Sequence, residues 1–135
     1  MTIFRSDALR NGIVGILDTQ RGASCKIQIR SGTPSGTPGG GTLLAELIGD
    51  GSDWAGAPSA GVLTSNAITA DASADNAGTA AHYELLTTGS LWLEAGLCDV
   101  GGSDGVTIDN VTIAEFQTVQ MSGNWVNTAA YDDAV

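Results

Sequence analysis

The sequence predicts a mainly β protein: an antiparallel β-sandwich, jelly-roll-like, with one short helix at its N-terminal end. Three observations predict it. The apolar period is 3.6 over residues 6–20 and changes to two near Ala23. About seven short apolar segments then follow one another up to Trp125, separated by turn-forming residues. The composition is turn-rich, with 19 glycines and only 15% charged residues in 135. That length predicts a single domain, 1–135, able to bury a core without metals or disulfides. No linker divides the chain and no segment repeats at a fixed period.

The helix is expected over about residues 6–20. Ser6 is placed to cap it and Asp7 lies in its first turn. Leu9, Ile13, Ile16 and Leu17 fall at i, i+4, i+7 and i+8, which predicts the buried face. Gly12 and Gly15 weaken the helix, so it needs tertiary packing. Gly22 is a plausible stop. The sandwich is expected over about 23–126. In "CKIQIR", Cys25, Ile27 and Ile29 point one way and Lys26, Gln28 and Arg30 the other, the pattern of a half-buried strand. "TLLAELI" is the next strand, followed by "GVLTSNAI", "AHYELL", "SLWLEAGLCDV", "GVTI" and "TVQMSGNWV". In the last of these Val119, Met121, Gly123 and Trp125 share a face. "TTGS", "GGSDG" and "DNVTIAEFQ" have turn chemistry. The tail, 127–135, has no pattern and is either loose or docked on a neighbour.

Between the first two strands lies "GTPSGTPGGGT". Gly36 and Gly41 have the spacing of a phosphate-binding loop, but Thr42 stands where its lysine belongs. Without that ammonium the stretch reads as a connector. His82 is the only histidine. With Tyr83 and Leu85 inward, it shares the outer face of its strand with Glu84, as a surface histidine. Neither a nucleophile elbow nor a cysteine box accompanies it. Asp71, Ser73 and Asp75 alternate as in half a calcium loop, but Asn76 and His82 occupy the positions of its glycine and its bidentate glutamate. A polar turn is the plainer reading. The carboxylate pairs Asp50/Asp53 and Asp132/Asp133 lie in a Gly-rich loop and in the tail, and closeness in sequence there does not supply the cleft and defined separation that glycoside hydrolysis needs. The chain is therefore expected to have no catalytic residue, cofactor or metal.

Charge is sharply segregated. The bases are Arg5, Arg10, Arg21, Lys26 and Arg30, and no Lys or Arg follows Ser31. Thirteen of the fifteen acids lie in that base-free part, within a net charge of −10. Such a body lacks the clustered cations that a phosphate backbone requires, which excludes nucleic acid as its partner. Two readings of the basic end stand: solubility alone, or docking against something acidic. Cys25 and Cys98 form neither a C-x-x-C nor a zinc set and read as two buried free thiols. No apolar run is long enough to cross a membrane, and "MTIFRSDALRNG" lacks a signal-peptide core. Trp54, Trp92 and Trp125 are the large anchors. Trp125 is expected in the core. Trp92 has a core role and an interface role equally open, and both Trp54 and Trp92 are candidate contacts with a partner.

The order of segments resembles a family of small structural proteins of tailed-bacteriophage virions, namely capsid decoration (cement) proteins or neighbouring head and tail components. The resemblance rests on "KIQIRSG", the Gly/Pro loop, "GTLLAEL", "GVLTSNAITADASADNAGTAAHYELL" and "GVTIDNVTIAEFQTVQM", and covers about Ser6 to Trp125. Family members often carry a basic residue after the aromatic of the "HY" strand; here Glu84 stands there. The resemblance implies a non-enzymatic protein on the capsid exterior, bound to the major capsid protein and stabilising it. It also implies self-association, with a trimer preferred and a dimer as the alternative. An acidic body, repelled by packaged DNA, agrees with the exterior. The alternative function is a tail or fibre accessory module that binds host-surface carbohydrate or a receptor.

Overall fold

A computed structural model describes residues 2–20, 24–49, 58–65, 68–99, 106–122, 126–128 and 132–134. Among them the chain is mainly β, mostly antiparallel and sandwich-like, with one helix. The elements in order are β1 (Thr2–Phe4), α1 (Asp7–Gln20), β2 (Lys26–Arg30), β3 (Leu43–Ile48), β4 (Val62–Thr64) and β5 (Gly78–Thr79). They continue with β6 (His82–Leu86), β7 (Trp92–Asp99), β8 (Val106–Thr107), β9 (Thr112–Ile113), β10 (Val126–Thr128) and β11 (Asp132–Ala134).

The main sheet has the order β3-β2-β6-β7-β8, antiparallel except for the β7–β8 pair. Its inner face carries Ile27, Ile29, Leu47, Tyr83 and Leu85, all buried. A second layer of short strands and bridged segments covers that face. It contributes Ala74, Ala80, Ile108, Ile113 and Val119 to the core that Val106 of β8 also enters. Gly96 lies opposite Tyr83, and a Cβ at Gly96 would stand 2.7 Å from the ring, so only glycine leaves room for it there. The edge strand β3 is not left open. Asp71 accepts the Glu46 N–H at 3.0 Å, and the Leu44 carbonyl accepts the Asp75 N–H at 2.8 Å. Such closure protects an edge from pairing with other chains.

The helix begins as expected: Ser6 Oγ accepts the Leu9 N–H at 3.3 Å. Its buried face differs from the expected one. Val14 is buried against Leu63 of β4, with Leu17 beside them, while Leu9, Ile13 and Ile16 are exposed. The reason is the partner's size. β4 is three residues long and paired with the equally short β10, so it offers a narrow groove, and the Ser59–Val62 turn comes close enough for the Gly61 N–H to reach Asn11 Oδ1 at 2.7 Å. Val14 and Leu17 fill that groove and the rest of the apolar stripe points away.

Three further expectations need correction. The tail is paired rather than loose: β11 runs antiparallel to β1, with Ala134 opposite Thr2. "TVQMSGNWV" is not a continuous strand. Over its described residues, Val119 and Met121 form isolated bridges with Asp71 and Ile108, and Val126 belongs to β10. "DNVTIAEFQ" is not turn alone, since it contains β9 paired with β5. Trp125 and Gly123 lie outside the described residues. Cys25 and Cys98 are both buried and neither forms a disulfide, and the register places them toward opposite ends of the main sheet.

Candidate functional site

The outer face of the main sheet is built from three cross-strand rows. Leu43, Arg30, His82 and Leu97 form one, Glu46, Gln28, Glu84 and Ala95 the next, and Ile48, Lys26, Leu86 and Trp92 the third. The period of two places the polar side chains of β2, β3 and β6 here, as expected. The expected solvent exposure is wrong, however: His82 is 0% and Glu84 2% exposed. The physical reason is the Gly/Pro connector between β2 and β3, which folds back over this face instead of standing away from it.

Glu84 is the centre of the arrangement. Its carboxylate accepts the Gly39 N–H at 2.9 and 3.1 Å and the Gly40 N–H at 3.3 Å. Arg30 Nε lies 3.4 Å from Glu84 Oε2. The guanidinium also donates to Gln28 Oε1 at 2.8 Å and to the Gly40 carbonyl at 3.3 Å, and Gln28 Nε2 donates to Glu46 Oε2 at 2.8 Å. The connector thus does hold an anion with successive backbone N–H groups, but the anion is the protein's own carboxylate. Gly39 and Gly41 have φ of +82° and +66°. At Gly41 a Cβ would also overlap the Ser31 carbonyl. The sequence needs glycine at these points so that the loop can turn its amides inward.

His82 Nδ1 bonds the Gly32 carbonyl at 3.0 Å. A carbonyl only accepts, so this bond puts the imidazole proton on Nδ1. Nε2 is buried without a hydrogen-bond partner, 3.9 Å from Glu84 Oε1. The pair is sealed beneath the loop, where a substrate has no approach to it. The cluster braces the loop against the sheet.

The described members of the expected contact set engage different local partners. Arg10 is paired with Asp7 of its own helix at 2.9 Å. Arg30 belongs to the buried cluster, and Lys26 donates to Ser90 Oγ at 2.8 Å across the third row. Arg5 is partly exposed at the end of β1. Arg21 and Trp54 lie outside the described residues. Trp92 is half-buried, level with Leu86 and Lys26. Asp71 uses one oxygen on the Glu46 N–H and the other on the Ser73 N–H, at 2.9 Å. Among the described residues no three His, Cys, Asp or Glu side chains converge to hold a metal ion. The described surface also carries large apolar side chains: Phe4 on β1; Leu9, Ile13 and Ile16 on the helix; Ile48 on β3; Leu91 and Leu97 toward the two ends of β7; and Phe116 at a turn. Comparison with family models, curated proteins and solved structures finds no match.

Proposed function

We propose that this protein is a structural component of a tailed-phage virion, a decoration protein that binds the outer surface of the capsid and stabilises it. The observation that carries the reading is the combination on its surface. Leu9, Ile13, Ile16, Leu91, Leu97 and Phe116 stand exposed on a chain with net charge −10. Exposed apolar groups set among charges are the anatomy of a protein-binding surface. Two further points support it. The buried polar cluster is occupied in bracing its own loop, and the order of segments resembles that family. The acidic body favours the exterior over the side facing DNA. In this reading the protein is not an enzyme. Its partner is the major capsid protein, and copies associate with one another, a trimer being preferred by analogy with threefold positions on shells.

The test is sedimentation of the purified protein with shells assembled from the major capsid protein alone. Saturable co-sedimentation, with shells that then resist heating better, is the expected result. Absence of co-sedimentation at any salt concentration, with binding to host-surface polysaccharide instead, would replace this reading by the tail-accessory one.

A further inference from the structure

Phe116 holds a backbone conformation that a bulky side chain disfavours, and its ring stands in solvent. Its φ is +65° and the residue is 72% exposed. That left-handed region suits glycine or asparagine, and an aromatic residue there is an outlier. Four hydrogen bonds impose it. The Gln117 N–H donates to the Ala114 carbonyl at 3.1 Å, and the Ala114 N–H to Gln117 Oε1 at 2.9 Å. The Phe116 N–H donates to the Ala74 carbonyl at 2.9 Å, and the Ala74 N–H to the Gln117 carbonyl at 2.8 Å. The turn is thus closed on itself and tied to the neighbouring segment. The ring takes no part in the core. The fold alone would be better served by a smaller residue, and strain kept at such a position is a pointer to function.

The surroundings say what the ring fits. Glu115 adjoins it, Asp75 follows Ala74 on the segment to which the turn is tied, and both are exposed. No Lys or Arg occurs anywhere beyond Arg30. An exposed aromatic on a fixed backbone, with Glu115 next to it in the turn and Asp75 on the segment to which the turn is tied, complements an apolar socket rimmed by Lys or Arg. A second copy of this chain is poorly supplied for that rim, since two of its five bases are engaged by Asp7 and Glu84. We propose that the Phe116 turn is the knob that seats this protein in an apolar, basic-rimmed pocket of the capsid protein. The inference rests on the capsid reading above and adds the contact and its chemistry. The ring supplies affinity by filling the socket; the carboxylates supply orientation and association rate.

The experiment measures binding to shells of the major capsid protein for the wild type, Phe116→Gly, Phe116→Asn and the pair Glu115→Gln with Asp75→Asn. Glycine and asparagine both accept the left-handed backbone, so at least one of the two variants folds with a thermal midpoint no lower than wild type. Its affinity for shells is expected to fall by about tenfold or more. The paired neutralisation is expected to slow association at low salt and leave dissociation nearly unchanged. A folded Phe116 variant that binds like wild type would overturn the inference while leaving the capsid reading intact. A wild type that binds no shell overturns the capsid reading, and the inference falls with it.

Discussion

Glu84 shows how one side chain can decide the conformation of a whole loop. Its carboxylate receives two backbone amides and lies beside Arg30, in a place with almost no access to water. Removing one member of a buried pair leaves the other charge unpaired, which is costlier than removing both. Glu84→Ala is therefore expected to lose about 3 kcal/mol of stability in chemical denaturation, and the Gly39 and Gly40 amides to lose protection from hydrogen exchange. The double replacement Arg30→Met with Glu84→Met should be milder than Glu84→Ala alone. A Glu84→Ala protein as stable as wild type, with those amides unchanged, would show that the carboxylate does not hold the loop. The alternation of "CKIQIR" and "AHYELL" made legible which face Gln28, Arg30, His82 and Glu84 share. It could not reveal that the face is covered. Coverage depends on where an eleven-residue Gly/Pro connector lies in space, and a connector's composition carries its flexibility, not its direction.

At the scale of elements, α1 separates local from tertiary information. Its start was legible because Ser6 caps by a bond to the Leu9 amide, a contact within one turn. Its buried face was not, because the choice between the Leu9–Ile13–Ile16 line and the Val14–Leu17 line is made by β4, far along the chain. The consequence is measurable. Leu63→Ala should cost about 3 kcal/mol, since it removes the buried side chain against which Val14 and Leu17 pack. Ile16→Ser should change stability by less than about 0.5 kcal/mol, as exposed sites do. The reverse order in thermal or urea denaturation would mean that the exposed stripe is the packed one. Short elements were the least legible. β5 and β9 are two residues each, and their pairing follows from the second layer settling on the core rather than from any period of their own; β8, equally short, falls in "GVTI", where a strand was expected. The pairing of β1 with β11 joins residues from the two ends of the sequence, and neither segment announces the other.

For the molecule as a whole, the sandwich-like fold puts the core between a regular sheet and an irregular layer, and leaves apolar groups on an acidic exterior. The fold class was legible because strand alternation and turn chemistry are local signals that recur along the chain. The candidate contacts were legible only in part. The basic residues form a cluster in sequence, and the structure adds what the sequence did not show: the sheet draws Arg30 inward to Glu84, and the helix pairs Arg10 with Asp7. Phe116 carried no signal in sequence, because its interest lies in a backbone angle fixed by Ala74. What unites these observations is a polar cluster closed beneath its own loop and apolar side chains left exposed, which in the proposed reading meet the capsid protein. The most direct test is a cryo-electron-microscopy map of particles carrying this protein. The account predicts density of its size at equivalent positions over the outside of the shell, with the Phe116 turn against the capsid protein. Density confined to the tail, or to the inner surface of the shell, would contradict it.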